Sequence, residues 1–132
     1  MKSVREINIT EDYQEICAWW DDWGWPNIPK KILPPTGYMI VEEGVRICAA
    51  WLYLTNSGLS SIEWIIMNKE TTKEQRQGAI EMLFEYIEKE AEKYGANTVI
   101  TNLINPNLKY KLNKVGYIEG DGKLYSMIKQ LS

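Results

Sequence analysis

The chain has 132 residues, 45% hydrophobic and 25% charged, and this length and composition predict one soluble globular domain over residues 1–132. The net charge of −3 is not typical of a nucleic-acid-binding protein, and no apolar run reaches the ~20 residues of a membrane helix. The absence of histidine excludes Ser-His and Cys-His nucleophiles and imidazole metal ligands, so no metal site is predicted. Because the N-terminus lacks an apolar signal core, the two cysteines are expected to be reduced thiols of a cytoplasmic protein.

The first part of the chain predicts a strand, a helix and an irregular segment. Residues 4–9 alternate loosely and indicate a strand, after which Thr10 is expected to cap a helix. The prolines that follow predict that residues 24–36 are irregular or contain a single helical turn.

Four of the six tryptophans lie within residues 19–25. They cannot all share one helical face, so at least one is expected at a surface or a cleft. One interpretation is that these rings pack the helix and the loop onto the sheet. The other is that Trp23 and Trp25 bind a substrate in an aromatic acceptor pocket, or contact a partner.

The next segment predicts an antiparallel meander. Residues 37–41 and 45–55 flank a turn at residues 42–44, which indicates a hairpin. A second turn at residues 56–58 leads into a strand over residues 61–67.

The longest predicted element is a helix that begins at Thr71 or Thr72 and continues to Tyr94. Residues 71–74 fit a capping box, apolar residues then recur at spacings of three and four, and Gly95 is the expected stop. A strand over residues 97–103 follows, so these elements form a crossover between two parallel strands. Such crossovers bind ligands where strand ends meet the N-terminus of a helix.

The end of the chain predicts a short helix that starts at Asn105 and ends before Gly116. Tyr117, Ile118 and residues 124–128 are expected to form a closing hairpin. The element order is then β-α-β-β-β-α-β-α-β-β. It predicts an α/β (α+β) domain with a mixed central sheet of about six or seven strands, flanked by about three or four helices.

This element order resembles that of the GNAT superfamily of acyl-CoA-dependent N-acetyltransferases, and the resemblance covers nearly the whole chain. The best local match is Asn-Pro-Asn-Leu-Lys-Tyr-Lys-Leu-Asn-Lys-Val-Gly-Tyr at residues 105–117. It is similar to the family's second signature, Asn-x-x-Ala-x-x-Leu-Tyr-x-Lys-x-Gly-Phe, with Asn105, Lys114, Gly116 and Tyr117 on pattern. The resemblance implies acetyl-CoA as the cofactor.

The family's first signature is a pyrophosphate-binding loop, Gln/Arg-x-x-Gly-x-Gly/Ala, whose backbone N–H groups hold a diphosphate at a helix N-terminus. In this chain Gln75 and Gly78 are on pattern, and Ile80 replaces Gly or Ala. The predicted capping box would start the helix before Gly78 and use these N–H groups inside it. Any phosphate would then meet the turn at residues 68–72. The resemblance implies the following coenzyme-binding residues: Ile65, Ile66, Met67, Lys73, Gln75, Arg76, Gln77, Gly78, Ala79 and Asn105.

In the family, the amine loses a proton before it attacks the thioester, and a backbone N–H at a bulge of the fourth strand meets the carbonyl oxygen. Glu63 is the candidate base, because it is the only charged residue between Arg46 and Lys69. The alternative is an outward glutamate opposite a cross-strand partner such as Arg46. Leu112 occupies the place of the family's tyrosine acid, which leaves Tyr125 as a candidate catalytic residue.

The resemblance therefore implies acetyl transfer from acetyl-CoA to a primary amine by direct attack in a ternary complex. The expected partner is an amine-bearing small molecule or protein, and neither a nucleic acid nor a membrane; a homodimer is left open. The alternative is a catalytically silent protein of this fold that binds a partner through its tryptophans or has a structural role.

Overall fold

The computed structural model describes residues 1–122 and 124–131. In chain order its elements are β1 (Lys2–Glu6), α1 (Ile9–Asp22), a one-turn 3-10 helix (Lys30–Ile32), β2 (Gly37–Glu42), β3 (Val45–Leu54), β4 (Leu59–Met67), α2 (Lys73–Arg76), α3 (Ala79–Lys93), β5 (Thr98–Thr101) and α4 (Pro106–Lys114). The strands form one sheet in the order β1-β2-β3-β4-β5, antiparallel except for the parallel pair β4–β5. Among the described residues, no helix is both long and apolar enough to cross a membrane.

Helix α3 covers one face of the sheet. Its apolar stripe of Leu83, Phe84 and Ile87 packs against Ile40 and Ile62, and all five side chains are fully buried. Each such side chain contributes about 1.5–3 kcal/mol through removal from water. The predicted helical periodicity therefore fixes α3 on the sheet.

Helix α1 covers the opposite face through aromatic packing. Trp20 stacks on Trp51 with ring centroids 5.9 Å apart, and Tyr13 meets Trp20 edge-on at 6.4 Å. Ile16 and Trp19 are buried in the same cluster. For Trp19 and Trp20, the interpretation that the rings pack the helix onto the sheet is confirmed.

Asn8 caps α1. Its Oδ1 accepts the N–H of Thr10 at 3.1 Å and the N–H of Glu11 at 3.3 Å. Thr10 lies inside the first turn, so the prediction that Thr10 caps the helix is wrong. The first strand also begins and ends earlier than predicted, because β1 pairs with β2 only from Lys2 to Glu6.

Asp12 is a buried charge that ties α1 to two strands. Its carboxylate accepts two hydrogen bonds from Arg5, at 2.8 and 2.9 Å, one from Arg46 Nε at 2.8 Å, and one from the Asn8 N–H at 2.7 Å. Burial alone would raise the pKa of Asp12, but these hydrogen bonds outweigh burial and lower it to about 2. Arg46 also pairs with Glu15 at 2.8 Å, so β1, β3 and α1 share one network.

The predicted long helix is two helices with a break between them. Thr72 caps α2: its Oγ1 accepts the Gln75 N–H at 3.1 Å, and Gln75 Oε1 accepts the Thr72 N–H at 2.8 Å. After α2 ends, Gly78 adopts a left-handed conformation with φ of 73° and α3 begins. The predictions of a continuous helix and of a capping box at residues 71–74 are therefore wrong.

The predicted closing hairpin does not form among the described residues, and the sheet has five strands instead of six or seven. The Tyr117 N–H donates to the Leu112 carbonyl at 3.0 Å, and the Gly116 N–H donates to Asn113 at 3.3 Å. With φ of 104° at Gly116, this is a Schellman motif that ends α4. Tyr117 thus uses its N–H in a helix cap and not in a strand pair. The α/β fold class with a mixed sheet is confirmed.

Candidate active site

Strand β4 contains a bulge at its centre. Its register with β3 shifts between Ala49 and Trp51, where one residue of β3 faces Trp64 and Ile65 of β4. Trp64 has φ of 58°, which is rare for a bulky residue. Glu63 lies opposite Trp51, and both Trp51 and Trp64 belong to the cluster under α1. The bulge therefore places Glu63 and Trp64 on the same face of the sheet.

Beyond the bulge, the outer edge of β4 is open. The pairing with β5 ends where Ile62 meets Thr101, whose Oγ1 donates to the Ile62 carbonyl at 2.7 Å. Over residues 63–67 this edge pairs with no other strand of the described chain. Such an edge can take an extended ligand through backbone hydrogen bonds. Three predicted coenzyme-binding residues lie on it: Ile65, Ile66 and Met67.

The break between α2 and α3 leaves backbone donors available. The Met82 N–H donates to the Gly78 carbonyl at 3.0 Å. The preceding N–H groups, those of Gly78, Ala79, Ile80 and Glu81, donate to no backbone carbonyl among the described residues. Available N–H groups at a helix N-terminus form a site for a phosphate group. Gly78 and Ala79, both predicted coenzyme ligands, lie at this site.

Ile80 does not obstruct this turn. Although it stands where the family has Gly or Ala, its side chain is 3% exposed and packs in the core under α3. Glu81 is different, because its buried Oε1 accepts no hydrogen bond from any described residue. Burial is the main cause that raises the pKa of the Cys48 thiol to about 12; Glu81 adds to this increase, and Lys111 of α4 opposes it.

The predicted polar ligands on and beside α2 differ in what they already contact. Gln75 is used in the capping box, and an Arg76 terminal nitrogen donates to the Thr71 carbonyl. Lys73 and Gln77 are exposed, with no side-chain hydrogen bond or ion pair to another described residue. These two side chains are therefore available beside the Gly78 turn, whereas Gln75 is committed to the helix cap.

Glu63 is half-buried and accepts a hydrogen bond from Ser61 Oγ. Its cross-strand partner is Trp51, while Arg46 lies near the start of β3 and binds Asp12 at 2.8 Å. The alternative in which Glu63 faces Arg46 is therefore wrong. The physical reason is the strand register, which pairs the middle of β4 with the far half of β3.

Tyr53 brings a hydroxyl group to the same face, and sequence reasoning missed it. Tyr53 pairs with Ser61, and its hydroxyl accepts the Trp64 Nε1–H at 2.6 Å and donates to the Ile32 carbonyl at 2.7 Å. The pKa of Tyr53 is raised, mainly by burial. The hydrogen bond from Trp64 opposes this increase, and the nearby Glu63 carboxylate adds to it. The alternation of β3 places Tyr53 on the same face as Trp51, but its position opposite Ser61 depends on the β3–β4 register. This relay joins the bulge to the loop over residues 24–36.

Two predicted site residues lie elsewhere. Tyr125 is 93% exposed in the C-terminal segment, and no contact within the described chain joins it to Glu63. Asn105 caps α4, because its Oδ1 accepts the Asn107 N–H at 2.8 Å and the next N–H at 3.3 Å. Leu112, at the position of the family's tyrosine, is buried in the core.

Trp23 and Trp25 lie at the end of β4 that follows the bulge. Their rings stack at 5.7 Å, and Trp23 Nε1 donates to the Met67 carbonyl at 2.9 Å. The Lys69 ammonium lies 4.3 Å from the centre of the Trp23 ring, and Trp25 is 42% exposed. Met67 is four positions after Glu63 along the bulged strand, so Trp23 is anchored at most about 13 Å from the candidate base.

The chain, with this sheet order, the bulged β4 and the turn before α3, has a fold similar to that of solved GNAT acetyltransferases. N-acetylglutamate synthase from Neisseria gonorrhoeae, solved with coenzyme A and N-acetyl-glutamate, matches with a TM-score of 0.69 and 15% identity. That match covers 86% of this chain but only 28% of the synthase chain. No protein-family model matches the sequence, and no curated protein matches it.

Two further solved structures are matched over their whole length. The ribosomal-protein-alanine N-acetyltransferase from Brucella melitensis has a TM-score of 0.70 and 11% identity, over 98% of this chain and 100% of that chain. A transcriptional regulator from Bacillus halodurans has a TM-score of 0.71 and 11% identity, over 97% of this chain and 100% of its own. These likenesses show that the chain has the GNAT fold.

Proposed function

We propose that the chain is an N-acetyltransferase that moves an acetyl group from acetyl-CoA to a primary amine by direct attack in a ternary complex. The observation that carries this proposal is the Gly78 turn, which presents available N–H groups at the start of α3. An open strand edge leads towards it. One elongated ligand with a diphosphate can therefore lie along β4 with its phosphates at α3, and coenzyme A has this shape.

The residues at the turn fit a diphosphate. The N–H groups of Gly78 and Ala79, with the exposed Lys73 and Gln77, supply hydrogen bonds and a positive charge. When bound, acetyl-CoA supplies an acetyl thioester, and a thiolate with a pKa near ~8.5 leaves without a protonating side chain. The absence of a tyrosine at Leu112 is compatible with that chemistry.

The residues of the bulge perform the remaining steps. Glu63 accepts a proton from the ammonium group of the acceptor, directly or through a water molecule, so that the neutral amine can attack. A backbone N–H at Trp64 or Ile65 meets the carbonyl oxygen as it gains charge. The C–N bond forms and the C–S bond breaks without a covalent enzyme intermediate. Cys48 is not a suitable nucleophile, because burial raises the pKa of its thiol to about 12.

The acceptor is an amine-bearing small molecule or protein in the cytoplasm that approaches on the face of the sheet covered by α1. Glu63, Tyr53 and Trp64 lie on this face, and Ile32 of the loop over residues 24–36 is hydrogen-bonded to Tyr53. Such a site combines a carboxylate with aromatic rings, which suits a cationic group on an apolar body.

The substitution Glu63→Gln tests this proposal. It keeps the shape of the side chain but removes the proton acceptor. The rate of acetyl transfer to an amine that the unaltered protein acetylates should therefore fall by ~100-fold or more. The loss should shrink as the pH rises towards the pKa of the amine, since more acceptor is then already neutral. The measurement is the initial rate of coenzyme A release between about pH 6.5 and 9.5. This range is roughly three pH units wide and lies below the usual pKa of a primary amine.

Glu70→Gln is the matched control, because Glu70 is exposed in the loop after β4. It should leave both the rate and its pH dependence unchanged. If Glu63→Gln behaves like this control, Glu63 is not the base.

A second candidate function is a catalytically silent protein of this fold that binds a partner. It is favoured by the stacked and partly exposed Trp23–Trp25 pair, and by the GNAT-fold match to a transcriptional regulator. Acetyl-CoA at ~100 times its dissociation constant should add roughly 2.7 kcal/mol of stability to the enzyme. No stabilisation, together with no transfer to an amino acid, a polyamine or a peptide N-terminus, would favour the silent protein.

A further inference from the structure

Two tryptophan rings form a flat and partly exposed surface at the end of helix α1. Trp23 and Trp25 stack with ring centroids 5.7 Å apart and an angle of 26° between their planes, and Trp25 is 42% exposed. Because Trp23 covers one side of the Trp25 ring, the exposed area of Trp25 belongs to its other side and its edges. An exposed indole of this kind can stack on a flat aromatic ligand.

The end of α1 fixes the backbone that carries these rings. The Trp25 N–H donates to the Trp20 carbonyl at 2.8 Å, and the Gly24 N–H donates to the Asp21 carbonyl at 3.0 Å. With φ of 74° at Gly24, these bonds form a Schellman motif. The ring pair is therefore held in place before a ligand binds, which lowers the entropic cost of binding.

Short contacts connect the ring pair to the segment that leads to the Gly78 turn. Trp23 Nε1 donates to the carbonyl of Met67, the last residue of β4. The next carbonyl along the chain accepts the Thr71 hydroxyl at 2.7 Å, and the Thr71 carbonyl accepts a hydrogen bond from Arg76 of α2. The ring pair is therefore joined, through this end of β4, to the helix that precedes the turn.

The direction of β4 decides which part of a bound coenzyme the rings would meet. In the proposed complex the thioester lies at Glu63 and the diphosphate at the Gly78 turn, so the coenzyme follows β4 from Glu63 towards Met67. Trp23 is attached at Met67. The ring pair is thus on the diphosphate side of the thioester and not beside the reacting amine. The adenosine of coenzyme A is joined to the diphosphate, and its base is a flat ring with a π face.

We propose that Trp25 stacks on the adenine ring of coenzyme A, with Trp23 as the ring behind it. This inference rests on the proposed function, and it gives the ring pair a role on the coenzyme side of the site instead of the acceptor side. The Lys69 ammonium lies 4.3 Å from the centre of the Trp23 ring and donates to the Asp22 carbonyl at 3.0 Å, which fixes the ring behind Trp25. The stack adds affinity for the adenosine part and leaves the thioester free to react.

Calorimetric titration of Trp25→Ala tests this proposal. The dissociation constant of coenzyme A should rise about fivefold or more, because a base loses its stacking partner. The dissociation constant of phosphopantetheine, which lacks the adenosine, should stay the same. Tyr94→Ala is the matched control: it removes another exposed ring, 59% exposed at the far end of α3, and should bind coenzyme A with unchanged affinity.

Tryptophan fluorescence gives an independent test with a variant that keeps a flat ring. Trp25→Phe should retain most of the affinity for coenzyme A, but the coenzyme should quench less of its tryptophan emission than in the unaltered protein. Equal quenching in the two proteins would overturn the proposal.

The outcomes separate this inference from the proposed function. If Trp25→Ala binds coenzyme A as tightly as the unaltered protein, the stack on adenine is wrong and the acetyltransferase proposal stands. If the variant loses affinity for coenzyme A and phosphopantetheine equally, Trp25 does not act through the adenine, and the inference is again wrong. If the unaltered protein does not bind coenzyme A, both proposals are refuted.

Discussion

Replacement of Gly78 by alanine is the most direct perturbation of the turn that we propose binds the phosphates. Gly78 has φ of 73°, and a Cβ added there would meet no atom within 4 Å. The substitution therefore creates no clash, and its cost comes from the left-handed backbone, which destabilises a residue with a Cβ by about 1–2 kcal/mol. The free energy of unfolding, measured in urea, should fall by this amount.

The same substitution should weaken coenzyme binding by a separate and larger effect. The backbone at residue 78 relieves its strain by moving towards helical angles, which turns the N–H groups of Gly78 and Ala79 away from a diphosphate. A hydrogen bond to a charged group contributes about 1.5–3 kcal/mol, so losing one should raise the dissociation constant of coenzyme A roughly 10- to 150-fold. Isothermal titration calorimetry measures this change.

Gly95→Ala is a matched control at the other end of α3. Gly95 also has a positive φ, 95°, and open space where a Cβ would lie. It is about 25 Å from Gly78 along the helix. The Gly95→Ala variant should lose a similar free energy of unfolding but bind coenzyme A with unchanged affinity. Equal affinities for the two variants would refute the reasoning that the Gly78 turn holds the phosphates.

Two further predictions concern stability and the acceptor side of the site. The depressed pKa of Asp12, about 2, stabilises the fold by about 2 kcal/mol above pH 4, and this contribution is lost as the pH falls from about 4 to 2. Asp12→Asn should lower the free energy of unfolding by about 3 kcal/mol at pH 7, because Arg5 and Arg46 lose their shared partner, and should flatten the acid dependence; a steep acid dependence in this variant would contradict the assignment. Tyr53→Phe removes the partner of Trp64 Nε1 and should cost about 1–2 kcal/mol in urea unfolding. It should also raise the acceptor KM several-fold while the dissociation constant of coenzyme A stays the same; an unchanged acceptor KM would remove the relay from the acceptor site.

Much of the fold could be predicted from the sequence because local pattern and tertiary structure agree there. The apolar period from Ile80 to Ala91 gives α3 its buried face, and the turn at residues 42–44 joins β2 to β3 as expected. The break at Gly78 could not be predicted, because a capping box followed by a helical period fits one long helix equally well. Packing decides between them, since the break lets Ala79 and Ile80 enter the core.

The candidate site could be predicted only in part, because the neighbours of its side chains depend on the strand register. Glu63 stands out in the sequence as a lone charge in an apolar strand, but its neighbours depend on register. Strict alternation would put Glu63 and Trp64 on opposite faces, whereas the bulge puts them on one. Tyr53 reaches this face only through the β3–β4 pairing, which no local pattern specifies.

Ile80 also changes how the departure from the family's loop signature is understood. A small residue at this position would leave room for a ligand next to the helix, so isoleucine suggests a blocked loop when only the sequence is considered. In the folded chain, the left-handed turn at Gly78 starts α3 in an orientation that directs Ile80 into the core beside Leu83 and Phe84. Its burial contributes about 1.5–3 kcal/mol to holding α3 on the sheet. The N–H groups of the turn remain available, so anchoring the helix and presenting its N-terminus are compatible at this position.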